Sequence, residues 1–375
     1  MTKRLLFSLF IFSLLISDGL SMRSRAQTTG VPQSKAGQSL SDPLASLPTS
    51  DGVISVDVQR LLNEMLPRVL ADNATRLAQV NSRIDSIKTR TGIDVRTFDR
   101  VAIGMRFVNG ATPNSLKVET VALARGHFNA QSMLSAGLLA HGSKYKYRQQ
   151  KYGGKVIYIF SGADLFGRDQ LPKITVGEEG EKSGNKAAEV ADNLLQRLMN
   201  FTGDVAISAI DSNTLAVGQP VRVRAAIDAG AGRGKVDSAL LGLASRGANA
   251  VVGYGVNAPQ NASRFFGFDN DQIAKNIDAV RQVYGFVGPT SAGFEMQNFM
   301  RTSTGAQAQD VYNMLEGFKD LGGFFASNLS GDKGKLAQNA LENLKITKEG
   351  QEVMISLALA QADVAMLVRV LDKQK

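Results

Sequence analysis

The chain has 375 residues, 43% of them apolar and 21% charged, with a net charge of +9 and a mean hydropathy of −0.08. That balance excludes disorder and collagen-like structure, and at ~100–200 residues per domain it fits two domains or one large one. The absence of cysteine excludes a disulfide scaffold, an iron–sulfur cluster, a thiol nucleophile, a thiolate zinc site and a lipid-modified cysteine, and His127 and His141, the only histidines, are too few for a multi-histidine metal centre.

Lys3 and Arg4, the run Leu5 to Ile16 broken only by Ser8 and Ser13, and Ser24-Arg25-Ala26 have the order of a secretory signal peptide. Residues 1–26 are therefore expected to be removed on export, to the periplasm or beyond the cell. A membrane span needs ~20 apolar residues, and Asp18 closes this run early, so a retained anchor is the lesser reading. No later segment reaches that length, and the mature chain is expected to hold no transmembrane segment. Residues 27–50, polar and carrying Pro32, Pro43 and Pro48, read as a flexible tether.

Val56, Val58, Leu61, Leu62, Met65 and Leu66 begin a helical run that Pro67 kinks or ends. A second helix follows Asp72 as N-cap, with Leu77, Val80, Ile84 and Ile87 on one face and Gly92 at its end. Period-two segments 99–108 and 116–125, joined around Asn109-Gly110, form a hairpin. Asn129 caps a helix over 130–141, and Tyr145 to Tyr152 with Lys155 to Phe160 make a second hairpin around Gly153-Gly154. Residues 177–186 are a loop without core residues, and a helix over 187–200 precedes a third hairpin, 205–210 and 214–217, turned by Asp211-Ser212-Asn213. Pro220 starts a helix that ends at Gly230.

After a connecting segment, 231–247, the order of elements repeats: a strand over 249–256, a helix over 269–283 capped by Gly285, a strand over 291–301 and a helix over 306–328. A helix over 331–342, a hairpin of 344–347 and 353–360, and a final helix 361–373 complete the chain. The expected fold is α+β with two similar lobes, 51–230 and 248–375, each a mainly antiparallel sheet covered on one face by helices.

The run Tyr152-Gly-Gly-Lys-Val-Ile-Tyr158 and the later run from Val205 to Val217-Gly-Gln-Pro220 carry a resemblance. A Tyr-x-Gly-x-x-x-Tyr strand, a hairpin and a Val-Gly-x-Pro helix start in this order resemble a family of exported bacterial proteins catalogued only as a domain of unknown function. The likeness covers about 95–360. It implies an α+β repeat fold and an extracytoplasmic location, and it brings no catalytic residue with it.

Each candidate for chemistry has a plainer structural reading beside it. Gly253-Tyr-Gly255-Val-Asn-Ala258 imitates a dinucleotide fingerprint, but Pro259 and a polar run replace the helix whose N-terminus would meet the pyrophosphate. Gly230 to Lys235 and Gly331 to Lys335 are glycine-lysine loops in which Val236 and Leu336 stand where a P-loop has a hydroxyl, and helix termini explain them. Ser330-Gly-Asp-Lys333 has the S-x-x-K spacing of penicillin-recognising enzymes without its companion motifs, and Ser330 suits a helix N-cap. Asp269-Asn-Asp271 lacks the remaining ligands of a calcium loop, and Glu178-Glu179 has no core around it to raise a carboxyl pKa.

Lys144, Lys146, Arg148, Lys151 and Lys155 interleave with tyrosines and could meet a polyanion or lipid headgroup; the alternative is an edge strand guarded by lysine. Phe318, Leu321, Phe324 and Phe325 make the helix over 306–328 unusually apolar, which suits a ligand held between sheet and helix, or simply a core. The resulting expectation is a non-enzymatic exported protein of the bacterial cell envelope, binding or structural, without metal, cofactor or specific nucleic acid. Its partner is an unidentified envelope protein or an amphipathic ligand. A periplasmic carrier or sensor of such a ligand is the alternative, and a serine hydrolase the weaker one.

Overall fold

The computed structural model describes residues 41–110, 116–141, 146–162, 203–263 and 270–372. The expected signal peptide, Lys144, Tyr145, the loop at 177–186 with Glu178 and Glu179, the helix over 187–200 and Asp269 lie outside the described residues, as does the side chain of His141.

The described residues begin with a short helix, α1 (Ser41–Ala45), and a strand, β1 (Gly52–Asp57). A helical run over 58–69, α2, follows, with a π-helical turn (Leu61–Met65) ahead of its last segment (Leu66–Val69). Asp57 caps it by accepting from the Arg60 N–H at 3.0 Å, and the run continues past Pro67, which sits in the first turn of that last segment. Next come α3 (Ala74–Thr91), capped by Asn73, and the hairpin β2 (Phe98–Asn109) and β3 (Leu116–Gly126). Then follow α4 (Ala130–His141), β4 (Tyr147–Tyr152), β5 (Lys155–Ser161), β6 (Asp204–Asp211), β7 (Thr214–Gly218), α5 (Pro220–Gly230) and α6 (Ser238–Ala244). The remainder is β8 (Val252–Asn257), α7 (Asp271–Ala279), β9 (Val280–Pro289), β10 (Gly293–Thr302), α8 (Gly305–Ser327), α9 (Gly331–Asn343), β11 (Leu344–Glu349), β12 (Glu352–Ala360) and α10 (Gln361–Asp372).

The strands of the two expected lobes lie in one sheet rather than two, in the order β11-β12-β10-β9-β8-β1-β2-β3-β7-β6-β5-β4, and every neighbouring pair is antiparallel. The join is β1, which pairs with β2 on one side and β8 on the other. The expected helical run from Val56 overlaps this strand, because Val53, Ile54 and Val56 alternate for only a few residues before the helix begins. The expected helix over 269–283 stops at Ala279, and β9 starts at the next residue, where Val280, Val283, Tyr284 and Phe286 suit a pleated surface better than a helix.

Alternating strand residues sort onto two faces. On the first, Val53, Ala102, Val121, Leu123, Ile157 and Ala216 pack with Leu44 and Leu47 from around α1, Val223 and Ile227 of α5, and Leu240 and Leu243 of α6. Residues 41–50, expected as tether, are therefore part of the core, with Leu44 and Leu47 both 0% exposed. The buried Arg222 holds them, donating to the Thr49 carbonyl and the Ser50 hydroxyl at 3.0 Å each. The expected connecting segment 231–247 likewise contributes α6. On the second face, α2, α3 and α10 share Leu66, Val80, Ile84 and Val368, while α8 packs Val311 and Leu315 against Val353 and Ile355 of β12. Towards β11 the first face loses its cover, and Lys345, Thr347, Met354 and Ser356 there stay exposed or half-buried.

Candidate functional site

Among the described residues, an open groove of about 460 Å³ lies between α7 and α8. Asn270 starts α7 by accepting from the Gln272 and Ile273 N–H groups at 3.0 Å each, and Thr304 starts α8 by accepting from the Gln307 N–H at 3.2 Å. One wall is apolar: Ile273 from α7, and Met314, Gly317, Phe318 and Leu321 from α8. The polar part of the lining is amide, from Asn270, Gln272, Asn276 and Asn313, with Asp310 beside them. These amides brace one another, since Gln272 Nε2 donates to Asn276 Oδ1 at 3.0 Å and the buried Asn276 donates to the Asp310 carbonyl at 3.4 Å.

Of the four apolar residues singled out on this helix, Phe318 and Leu321 line the groove. Phe324 and Phe325 lie beyond it, edge-on to each other at 5.5 Å, with Phe324 66% exposed. The groove is not the expected space between sheet and helix: the sheet-facing side of α8 is filled by Ala308, Val311 and Leu315, and the concavity opens between helices instead.

The basic segment occupies the terminal strand β4 and its partner β5. Arg148 is ion-paired with Asp204, and Tyr152 on the same face donates to Asp228 at 2.7 Å. That hydroxyl, with Arg233 next, holds the Asp228 carboxyl below its ordinary value. Tyr147 points the other way, its ring 5.7 Å from Tyr158 and 5.5 Å from Phe160. Lys151 shares the Tyr147 side, while Lys155, paired with Tyr152, shares the Arg148 side, so the strands divide these bases between two faces. Lys146 is exposed just before the strand.

A cluster that the sequence reading missed sits where α6 ends and the uncovered sheet face begins. Tyr284, 0% exposed, stacks on Phe299 at 5.0 Å and donates to Glu352 at 2.5 Å. Arg301 Nε also donates to Glu352, at 2.9 Å, and Arg246 lies over the Tyr284 ring at 4.8 Å while donating to its hydroxyl at 2.7 Å. Burial, then the Glu352 hydrogen bond, pushes the Tyr284 hydroxyl up to about 12. Burial alone would raise the Glu352 carboxyl, yet Tyr284, Arg301 and Arg246 together hold it below its ordinary value. Its members come from four segments, Arg246 after α6, Tyr284 on β9, Phe299 and Arg301 on β10 and Glu352 on β12, and the cross-strand registers of Tyr284 with Phe299 and of Arg301 with Glu352 bring the strand residues together. Tyr284 and Arg246 donate within the cluster, and Arg301 ties it to the neighbouring strand by donating from Nη1 to Gln282 Oε1 at 2.9 Å, as in a structural tie.

The remaining motifs take structural positions. Gly253 and Gly255 lie under α6, Ser330 is the N-cap residue of α9, and Gly234 accepts from the Thr49 N–H at 2.7 Å. His127 Nδ1 meets Asp99 at 3.0 Å on an exposed surface. Among the described residues no group of three or more histidine or acidic side chains could hold a metal ion, and no helix is long and apolar enough to cross a membrane.

No family model and no curated protein matches the chain. Among solved structures it is similar to TP0453: crystal form I at 9% identity over 88% of this chain and 97% of that one, with a TM-score of 0.38, and crystal form III at 10% identity over 88% and 98%, with a TM-score of 0.40. At those TM-scores the likeness is coarse, and no residue role is transferred.

Proposed function

We propose that this is a non-enzymatic, exported binding protein of the bacterial cell envelope, and that the groove between α7 and α8 takes an amphipathic ligand. The observation that carries the reading is the lining of that groove, which combines the apolar Ile273, Met314, Phe318 and Leu321 with the amides Asn270, Gln272, Asn276 and Asn313. Such a lining matches a molecule with one greasy and one hydrogen-bonding side. The order of charge, apolar run and small residues at 1–26 supports export. The basic strand β4 stands outside this reading, because Arg148 is already paired and Lys151 faces away from it.

The chain has no tryptophan, so Leu321→Trp places a single reporter in the groove wall. Titration of that variant with a lysophospholipid below its micelle concentration should give a saturable blue shift in emission. Gly317 also lines the groove and is exposed, and a Cβ there would meet nothing within 4 Å, so Gly317→Leu adds bulk to the groove wall, with an unchanged thermal midpoint as the check on the fold. In the Leu321→Trp background it should weaken binding about 10-fold, as the loss of ~1.4 kcal/mol of contact does. Equal binding with and without Gly317→Leu, or no saturable signal, would refute the groove as the site.

A further inference from the structure

We infer that the C-terminal end of α8 is a contact surface for a second copy of this chain. Leu321 is 54% exposed, Phe324 66% and Leu329, just past the helix, 37%. Scattered exposed apolar side chains are ordinary, but three large ones within nine residues form a patch, and a patch of this kind marks an interaction surface. The exposed positions Gly317, Leu321, Phe324 and Asn328 are spaced four, three and four apart, the spacing of a seam by which one helix packs along another. Neither Gly317 nor Gly323 would bring a Cβ within 4 Å of other atoms, so this stretch of helix surface stays low and admits a close neighbour.

The charges around the patch select the occupant. Asp320 and Asp332 stand against Lys333 and Lys335, all four exposed, and the half-buried Glu316 and Lys319 keep the balance. An anionic lipid surface would be met by a basic rim. A rim with equal numbers of both signs is instead what an isologous contact needs, since the same patch must be complementary to itself about a two-fold axis. The contact can be tested apart from the ligand reading, because Phe324 and Leu329 do not line the groove, whereas Gly317 and Leu321 belong to both surfaces.

Sedimentation of the full chain at micromolar concentration should show a reversible dimer. The double variant Phe324→Ser, Leu329→Ser should weaken it about 100-fold, as loss of two central apolar contacts does. Both side chains are exposed, so the thermal midpoint should stay put when both proteins are melted at a concentration low enough for the monomer. The chain has no cysteine, and Phe324→Cys alone should cross-link to itself on oxidation, whereas a cysteine at exposed Ser303 should not. A monomeric wild type, or a dimer indifferent to the double variant, would overturn the inference. Binding of the wild-type monomer to phosphatidylglycerol vesicles, lost in the double variant, would overturn it in favour of a membrane.

Discussion

Tyr284 is the largest side chain wholly withdrawn from solvent, yet its hydroxyl ends among charges. A tyrosine buried this way must keep its O–H paired, and Glu352 accepts it while two arginines neutralise the carboxylate. Because Glu352 is held below its ordinary value of 4.5, it stabilises the fold at pH above that value, and the contribution is lost as pH falls through the lower folded value. Tyr284→Phe keeps the stack on Phe299 and removes both the hydrogen bond donated to Glu352 and the one accepted from Arg246. It should cost about 1.5–3 kcal/mol at pH 7, the usual scale for a hydrogen bond to a charged group, and the difference from wild type should narrow by pH 3. Urea unfolding at the two pH values measures this. A pH-independent difference would mean that the hydroxyl does not hold the carboxylate charged.

At the level of the element, α6 explains two glycines whose spacing imitates a nucleotide fingerprint. A Cβ on Gly253 would stand 2.2 Å from the Ala244 carbonyl oxygen, a backbone atom at the end of α6. On Gly255 it would stand 2.9 Å from Leu243 Cβ, 3.1 Å from the Leu240 carbonyl oxygen and 3.3 Å from the Ala244 nitrogen, atoms equally tied to the α6 backbone but less closely approached. Gly253→Ala should therefore destabilise by about 3 kcal/mol, and Gly255→Ala by about 1 kcal/mol. Thermal melts of the two variants rank them, and equal losses would show that α6 moves as a body. Elements with their own punctuation were legible from sequence: α4 starts where Asn129 caps it and spans the expected residues, and α5 runs from Pro220 to Gly230. Those signals are local. The boundary between α7 and β9 was not legible, because Ile273, Ile277, Val280 and Tyr284 also suit one helical face, and the choice falls to pairing with β8 and β10. The groove was half legible: Phe318 and Leu321 stood out as apolar, while Asn270, Gln272 and Asn276 come from α7, whose packing against α8 leaves no periodic mark.

For the whole molecule the decisive element is β1, six residues that join strands 98–126 and 204–218 to strands 252–360 in one sheet. No local pattern announces this, since sheet continuity depends on register between segments far apart: Ser55 pairs with Ala102 on one side and Gly253 on the other. The same distance hides the role of residues 41–50, whose prolines and serines suggest a tether while Leu44 and Leu47 fill the core over β2 and β3. A sheet joined this way should unfold as one unit, because separating the halves at β1 exposes two long unpaired edges and the buried Val53. Val53→Ala, at a fully buried position in that strand, should cost about 2 kcal/mol. Native-state hydrogen exchange should then show the most protected amides of β3 and of β10 losing the same free energy, although Val53 belongs to neither strand. If protection fell in β3 and held in β10, the two halves would be separate folding units that share an edge, and the expected two lobes would describe the energetics better than the continuous sheet does.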